Sequence, residues 1–89
     1  MELDELKIFL KVDGSELDVN LTGYQLAAEK YLENAGVSKD YTNALYKIVV
    51  TMIVGTFLEN PSLVAGGGNI GSLSITVSAL IAQLRLSCN

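Results

Sequence analysis

The sequence predicts one all-α domain spanning residues 1–89, organised as a small bundle of about four helices. Two long central helices and two short helices are expected, with a glycine-rich loop before the last helix. Apolar residues recur at intervals of three and four in each helical segment, which is the period of an amphipathic helix. Capping and helix-breaking residues separate the segments. Hydrophobic residues make up 49% of the chain and charged residues 18%, which supplies a helical core and leaves some apolar surface for a partner.

The first helix is predicted to run from Leu3 to Val12. Asp4 and Glu5 lie in its first turn, where the helix dipole favours negative charge. Asp13-Gly14 supplies a turn after it. The apolar side of this helix contains Leu3, Leu6 and either Phe9 or Leu10.

The second helix is predicted to open at Ser15, because Ser15 and Asp18 have the spacing of a capping signal, S-x-x-[DE]. Gly36 is expected to end this helix in the left-handed conformation. Gly23 lies in the interior, where glycine costs about 1 kcal/mol relative to alanine. A kink in the helix, a frayed first half of the helix or a close helix crossing over Gly23 would account for a glycine at this position. The apolar stripe of the helix contains Leu17, Leu21, Tyr24, Ala28, Tyr31, Leu32 and Ala35.

The third helix is expected to start near Asp40, which is a good N-cap candidate, and its long apolar part covers Ala44 to Asn60 and ends before Pro61. Its side chains are apolar around most of the circumference, which predicts burial on most sides. Gly55 is expected to permit close packing with another helix. The longest uncharged apolar run follows Lys47 and contains 11 residues, whereas a membrane-spanning helix needs roughly 20. We therefore predict a core helix rather than a membrane span.

Residues 61–75 are predicted to form an irregular loop, since they contain one proline and four glycines. The alternation of apolar and polar residues from Leu73 to Val77 also permits a short strand, in a hairpin with residues 62–65. Ser74 or Thr76 is expected to cap the last helix. The apolar face of that helix consists of Val77, Leu80, Ile81 and Leu84.

The composition argues against catalysis and against binding to nucleic acid or membranes. The formal net charge is −4 and the six basic residues do not cluster, so no basic patch is available for phosphates or anionic lipids. The chain has no histidine, which is the commonest general base and metal ligand. The one cysteine, Cys88, indicates a reducing compartment. The acidic N-terminus is unlike a signal peptide.

Two local patterns resemble ligand-binding loops without meeting their requirements. The run Gly66 to Gly71 lacks the Lys-Ser/Thr pair that a phosphate-binding loop needs after its last glycine. Asp13, Glu16 and Asp18 are spaced like calcium ligands, but Tyr24 stands where the loop would need its closing glutamate. A flexible loop and helix-capping roles explain these residues better.

Glu29 and Glu33 lie one helical turn apart and could in principle form an acid/base or metal-binding pair. Lys30 lies between them and no other acidic residue is placed to converge on them. We interpret the pair as a solvated helix face. The sequence therefore predicts no enzyme, with no catalytic, cofactor-binding or metal-binding residues.

Several segments follow a recognisable order. Leu6 to Asp13 fits the pattern LK-x-[YF]-L-[RK]-[VI]-D, and Leu26 to Asn34 contains AA-x-x-Y-[IL]. Ala44 to Asn60 is a long apolar segment ending in E-N, and Val77 to Arg85 contains [AS]-L-[LI]-x-x-[LY]-R. In this order the chain resembles the head–tail connector (adaptor) proteins of long-tailed double-stranded DNA phages and their prophages. It departs from that family at residues 19–23, where an acidic run is usual.

The resemblance implies a non-enzymatic structural subunit that assembles with copies of itself into a ring beneath the portal protein. The ring would extend the DNA channel, and DNA would pass through it without specific binding. It would also present a docking face to tail-completion (stopper) proteins. The implied location is the head–tail interface of the virion, and the bacterial host cytoplasm during assembly, with no cofactor and no membrane partner.

The residues expected to contact neighbouring subunits or the portal lie in the glycine-rich loop and in the last helix. The loop is long enough to become ordered on a neighbour, and the last helix should pack on the core or on a neighbour. These residues are Gly66, Gly67, Gly68, Asn69, Gly71, Leu80, Ile81, Leu84 and Arg85.

A second function class also fits the composition. A small acidic helical protein of the cell interior could act as a binding module that sequesters a protein partner. Rings or concentration-dependent oligomers would favour the connector. A chain that stays monomeric beside its portal and tail partners would count against it.

Overall fold

The computed structural model describes residues 1–62 and 75–87 of the chain. These residues form four α-helices and no β-strand, which confirms the predicted all-α bundle. The predicted loop residues Gly66 to Gly71 lie outside the described part of the chain. The helices are α1 (Leu3–Leu10), α2 (Asp18–Asn34), α3 (Ala44–Glu59) and α4 (Ile75–Ser87).

The third helix, α3, is the centre of the bundle and packs against α1, α2 and α4. Its apolar residues extend nearly around the circumference, and this is why it is buried from three directions. On α2 the core positions are Leu21, Ala28 and Leu32, which belong to the predicted stripe, whereas Leu17 of that stripe is exposed. The buried residues of α3 are Tyr46, Val49, Val50, Ile53, Val54 and Phe57.

The first helix lies along α3 in a parallel direction. The Nζ of Lys47 is 2.9 Å from Oε2 of Glu5. Further along, a Cβ added to Gly55 would lie 3.4 Å from Cδ2 of Leu10. The expectation that Gly55 permits close packing with another helix is therefore confirmed, and the helix it admits is α1.

The first helix ends at Leu10 rather than at the predicted Val12. Lys11 adopts a left-handed conformation with φ of 57°. Its N–H donates to the carbonyl of Ile8 at 3.2 Å, and the N–H of Val12 donates to the carbonyl of Lys7 at 3.0 Å. These two bonds form a Schellman motif, which satisfies the last carbonyls of the helix. The motif turns the chain before the Asp13-Gly14 pair is reached.

The second helix begins at Asp18, so the prediction that Ser15 opens and caps it is wrong. Leu17 holds the N-cap position and no side chain caps the helix. The carboxylate of Asp18 is instead 2.8 Å from Nζ of Lys7, and the negative charge in the first turn suits the helix dipole. Asp18 thus joins α2 to α1 through an ion pair, and the predicted hydroxyl cap does not form.

The end of α2 follows the prediction. Gly36 has a φ of 92°, and the N–H of Val37 donates to the carbonyl of Leu32 at 2.8 Å. Gly36 is therefore a left-handed terminator, as glycine commonly is. Upstream, α2 continues unbroken through Gly23, and none of the described residues crosses that position closely.

The third helix is capped by Asn43, so the prediction of Asp40 at this position is wrong. Oδ1 of Asn43 accepts from the N–H of Leu45 at 2.9 Å. Asp40 instead accepts from the N–H of Thr42 at 3.1 Å and shapes the turn before the helix. At its other end, α3 stops at Glu59, one residue earlier than predicted, because Asn60 leaves the helical conformation before proline.

We expect Asn43→Ala to lower the free energy of unfolding by about 1 kcal/mol, the usual value of an N-cap. Urea denaturation followed by helical circular dichroism measures the loss. Asp40→Ala is the comparison, and a smaller loss is expected because Asp40 bonds an exposed turn rather than the first turn of α3. A loss for Asp40→Ala that equals or exceeds the loss for Asn43→Ala would contradict the assignment of the cap.

The last described helix, α4, packs on α3 through Val77, Ile81 and Leu84, which are buried. Thr76 lies within the helix rather than capping it. The alternative of a strand is wrong for residues 75–77, which are helical, while Ser74 and the remainder of the supposed hairpin lie outside the described residues. None of the helices in the described ranges is both long and apolar enough to cross a membrane.

Candidate interaction surfaces

The predicted interface residues on the last helix lie in two environments. Ile81 and Leu84 are 7% and 0% exposed and pack into the core, and Leu80 is partly buried against it. Arg85 is exposed. Of the two alternatives for this helix, packing on the core accounts for the three apolar residues and leaves Arg85 available to a partner. The predicted contact residues of the glycine-rich loop are outside the described part of the chain.

Arg85 belongs to an apolar and basic surface that the last turn of α4 forms beside the C-terminal end of α2. Its Nε would lie 3.8 Å from a Cβ built on Gly36. A shallow groove is lined by Gly36, Ala82, Arg85 and Leu86. Leu86 is 77% exposed, although the sequence pattern does not single it out. We call Arg85 and Leu86 the α4 surface.

The first helix presents two apolar side chains to solvent. Ile8 is 76% exposed and Phe9 is 50% exposed. The sequence left Phe9 and Leu10 as alternatives for the core, and the structure places Leu10 against the core and Phe9 outward. Leu10 follows the fully buried Leu6 by four residues and so lies on the same side of the helix. This spacing is the sequence signal that distinguishes Leu10 from Phe9. We call Ile8 and Phe9 the α1 surface.

The second helix also has an outward apolar face. Val19 is 84% exposed and Leu26 is 62% exposed. Thr22 and Gly23 lie between them and are exposed as well. The predicted apolar stripe of α2 does not include these residues, because they lie on the opposite side from Leu21 and Ala28. We call Val19, Thr22, Gly23 and Leu26 the α2 face.

The interpretation of Glu29 as part of a solvated helix face is wrong. The side chain of Glu29 is only 13% exposed, and its carboxylate accepts hydrogen bonds from the hydroxyl of Tyr41 and, at 3.3 Å, from Nε2 of Gln25. Lys39 lies at 3.9 Å. Glu33 fits the interpretation, since it is 68% exposed and pairs with Lys30 at 3.2 Å.

Gln25, Glu29 and Tyr41, here called the Glu29 cluster, connect α2 to two other parts of the chain. Nε2 of Gln25 contacts the hydroxyl of Tyr41 at 3.1 Å and donates to the carbonyl of Met1 at 3.2 Å. The ring of Tyr41 meets the buried ring of Tyr46 edge-on, with centroids 5.0 Å apart. The cluster therefore fixes the N-terminus and the α2–α3 connection against the bundle.

The environment of Tyr41 raises its pKa well above the ordinary value. Burial of the phenol is the largest cause, and the hydrogen bond to the negative Glu29 adds to it, while Gln25 opposes both. Tyr41 is thus held as a neutral donor rather than as a nucleophile or base. The hydrogen bonds of the cluster connect α2 to the carbonyl of Met1 and to Tyr41.

Most of the basic side chains of the described residues are paired with carboxylates. Lys7, Lys30, Lys39 and Lys47 each lie within 4.0 Å of a carboxylate. Four of the six basic residues in the chain are therefore engaged in ion pairs. In the described ranges, no group of three or more His, Cys, Asp or Glu side chains is arranged to hold a metal ion.

The geometry presents exposed surfaces on three different helices: the α1 surface and the α2 face are apolar, and the α4 surface is apolar and basic. A structural polar cluster lies between α2 and the N-terminus. Comparison of the chain with protein-family models, with curated protein sequences and with solved structures finds no match.

Proposed function

We propose that this chain is a structural subunit of a phage or prophage particle that joins the head, at its portal, to the tail. Copies of the chain form a ring that extends the DNA channel and offers a docking face to tail-completion proteins. The proposal rests on the resemblance to head–tail connector proteins and on the exposed apolar surfaces of the bundle. The subunit works by assembly and not by catalysis.

The observation that carries the proposal is the α1 surface. The segment Leu6 to Asp13, which bears the first family pattern, is helical as far as Leu10. This helical part buries Leu6 and turns Ile8 and Phe9 outward. Apolar side chains held outward on a rigid helix are typical of protein–protein contacts. The same pattern therefore supplies both a core residue and a contact surface.

A ring needs two different surfaces on each subunit, because each copy meets its neighbours head to tail. The α1 surface and the α4 surface lie on separate helices, and α3 stands between those helices in the bundle. In the proposed ring, the α1 surface of one subunit contacts the α4 surface of the next. The glycine-rich segment Gly66 to Gly71, predicted to be a loop that becomes ordered on a neighbour, lies between α3 and α4 in the sequence.

The charge distribution supports a channel rather than a DNA-binding protein. The net charge is −4, with 10 acidic and 6 basic residues. Four of the five lysines lie within 4.0 Å of a carboxylate of the same subunit. Strong affinity for DNA requires many free basic residues on phosphates, so DNA can slide past such a subunit.

The test combines the full chain with the portal and tail-completion proteins of the same particle. Negative-stain imaging and mass measurement should show rings seated on the portal. Phe9→Lys should prevent them by placing a charge in the α1 surface, and Ser38→Lys should not, because it adds the same charge to the exposed α2–α3 connection. Circular dichroism checks that both variants fold. A wild-type chain that remains monomeric with both partners present overturns the proposal.

A further inference from the structure

The α2 face is apolar, exposed and free of charge along two helical turns. Val19 and Leu26 are separated by seven residues and so point the same way. They are 84% and 62% exposed. The positions between them on that side are Thr22 and Gly23. This surface is separate from the α1 and α4 surfaces assigned to the ring.

Gly23 has no role within the subunit that the described residues reveal. Its φ is outside the left-handed region, so the backbone does not require glycine. Apart from its chain neighbours and the nearby backbone of its own helix, no heavy atom of the described residues comes within 4 Å of the position a Cβ would take. Glycine in a helix interior is destabilising, and one use that offsets this is the close approach of another backbone. Gly23 is therefore suited to an intermolecular helix crossing.

We infer that the α2 face binds the α2 face of a second copy, with the two helices antiparallel. Charge decides between this arrangement and the parallel one. Lys30 lies one turn beyond Leu26, whereas the segment before Val19 contains Asp13, Glu16 and Asp18. An antiparallel pair that aligns Val19 with Leu26 of the other copy brings each Lys30 to the partner's acidic segment. A parallel pair would oppose lysine to lysine and acid to acid.

The internal pairing of these charges does not prevent the contact. Lys30 reaches Glu33 at 3.2 Å, but both side chains are about two-thirds exposed, at 67% and 68%. Such exposed pairs contribute little and exchange readily. Asp18 is held by Lys7 at 2.8 Å, so Asp13 and Glu16 are the acids that Lys30 of the second copy meets.

The face is small, and the dimer is correspondingly weak. Two apolar side chains and a glycine per copy bury much less than the roughly 1,200 Å² of a standard stable interface. We expect a dissociation constant on the order of 0.1 mM. A two-fold pair closes on itself and cannot extend into a ring, so this dimer is a state of the free chain. The inference does not rest on the proposed function.

Cross-linking between introduced cysteines tests the register. All proteins carry Cys88→Ser, so that only the new thiols react. Val19→Cys and Leu26→Cys proteins of different tagged mass are oxidised separately and as a mixture. The antiparallel register predicts mixed Val19–Leu26 links in the mixture and few links in either protein alone. Predominant self-links in the separate samples, or no more mixed links than Gln83→Cys forms with either, overturn the proposal.

Substitution of Gly23 separates association from folding. Gly23→Lys should weaken the dimer by about tenfold or more, because its side chain blocks the close approach of the helices. Its unfolding midpoint should not fall, since lysine has the higher helix propensity. Gln83→Lys adds the same charge on α4 and should leave the dimer intact. Sedimentation velocity over a concentration series measures the dimerisation of the wild type and of both variants, and thermal denaturation gives the unfolding midpoint. Equal dimerisation of the wild type, Gly23→Lys and Gln83→Lys contradicts the interface.

Discussion

Leu84→Ala is expected to lower the free energy of unfolding by about 3 kcal/mol, within the usual range for leucine in a core. Leu84 is 0% exposed and lies on the side of α4 that packs against α3. Truncation removes the transfer free energy of the side chain and leaves a cavity that the neighbours fill only in part. A small domain has a total stability of roughly 5–15 kcal/mol, so this loss is a large share. Urea denaturation followed by circular dichroism measures it.

The matched control is two residues further along the same helix. Leu86 is 77% exposed, so Leu86→Ala makes the same chemical change with the same effect on helix propensity. Its effect should be within about 0.5 kcal/mol of zero, as for most surface substitutions. The difference between the two variants isolates burial. Similar losses for both would show that α4 does not pack on α3 through the face that contains Leu84.

The central part of the fold could be predicted because its signals are redundant. In α3, apolar residues repeat over the whole helix, so an error at one position does not change the interpretation. Gly36 needed only local information, since a glycine after a helical stripe satisfies the last carbonyls by itself. The same is true of Pro61, which restricts the residue before it. These features depend on neighbours in sequence rather than in space.

The first residues of α2 and α3 were harder to predict, because several residues could cap each helix. Ser15 and Asp18 form a good capping signal, yet Asp18 is drawn into an ion pair with Lys7 on α1. Asp40 and Asn43 are both good caps, and the turn that Asp40 forms leaves the position to Asn43. Tertiary contacts thus choose between local alternatives that have similar energies.

The candidate surfaces could be predicted only in part. The apolar content indicated that some surface would remain for a partner, but not which residues would supply it. Phe9 and Leu10 differ by a single position on α1, and the packing of that helix on α3 decides which one is buried. Glu29 was misinterpreted because its partner, Tyr41, lies 12 residues away in a different part of the chain. A periodic pattern on one helix contains no information about such a contact.

Tyr41→Phe is expected to lower the free energy of unfolding by roughly 1–3 kcal/mol at neutral pH, the range for leaving a buried polar group without its partner. The substitution removes the hydroxyl that donates to Glu29, whose side chain is only 13% exposed. The ring contact with Tyr46 remains. Thermal or urea denaturation at pH 7 provides the measurement.

Tyr31→Phe is the control for loss of a hydroxyl. Tyr31 is half-buried on α2, and its hydroxyl has no hydrogen-bonding partner among the described residues. Its substitution should therefore change stability by less than about 0.5 kcal/mol. If Tyr31→Phe and Tyr41→Phe lose equal stability, the Glu29 cluster does not stabilise the fold. A double-mutant cycle with Glu29→Gln should then give no coupling between positions 29 and 41.

The pH dependence gives a second signature of Tyr41. The pKa of Tyr41 in the folded chain is raised above its ordinary value of 10.0, so the folded state holds the phenolic proton more tightly than the unfolded state. This stabilisation is fully present below pH 10, and it declines as the pH rises further, because the unfolded chain then releases the proton.

The decline is at most about 1.4 kcal/mol per pH unit, and less where solvent screens the partly exposed phenol. Tyr41→Phe lacks this titration. The stability difference between wild type and variant should therefore be constant from pH 7 to pH 10 and should shrink above pH 10. A difference that stays constant or grows in alkaline solution would mean that Tyr41 keeps an ordinary environment. In that case the Glu29 cluster would not fix the α2–α3 connection to the bundle.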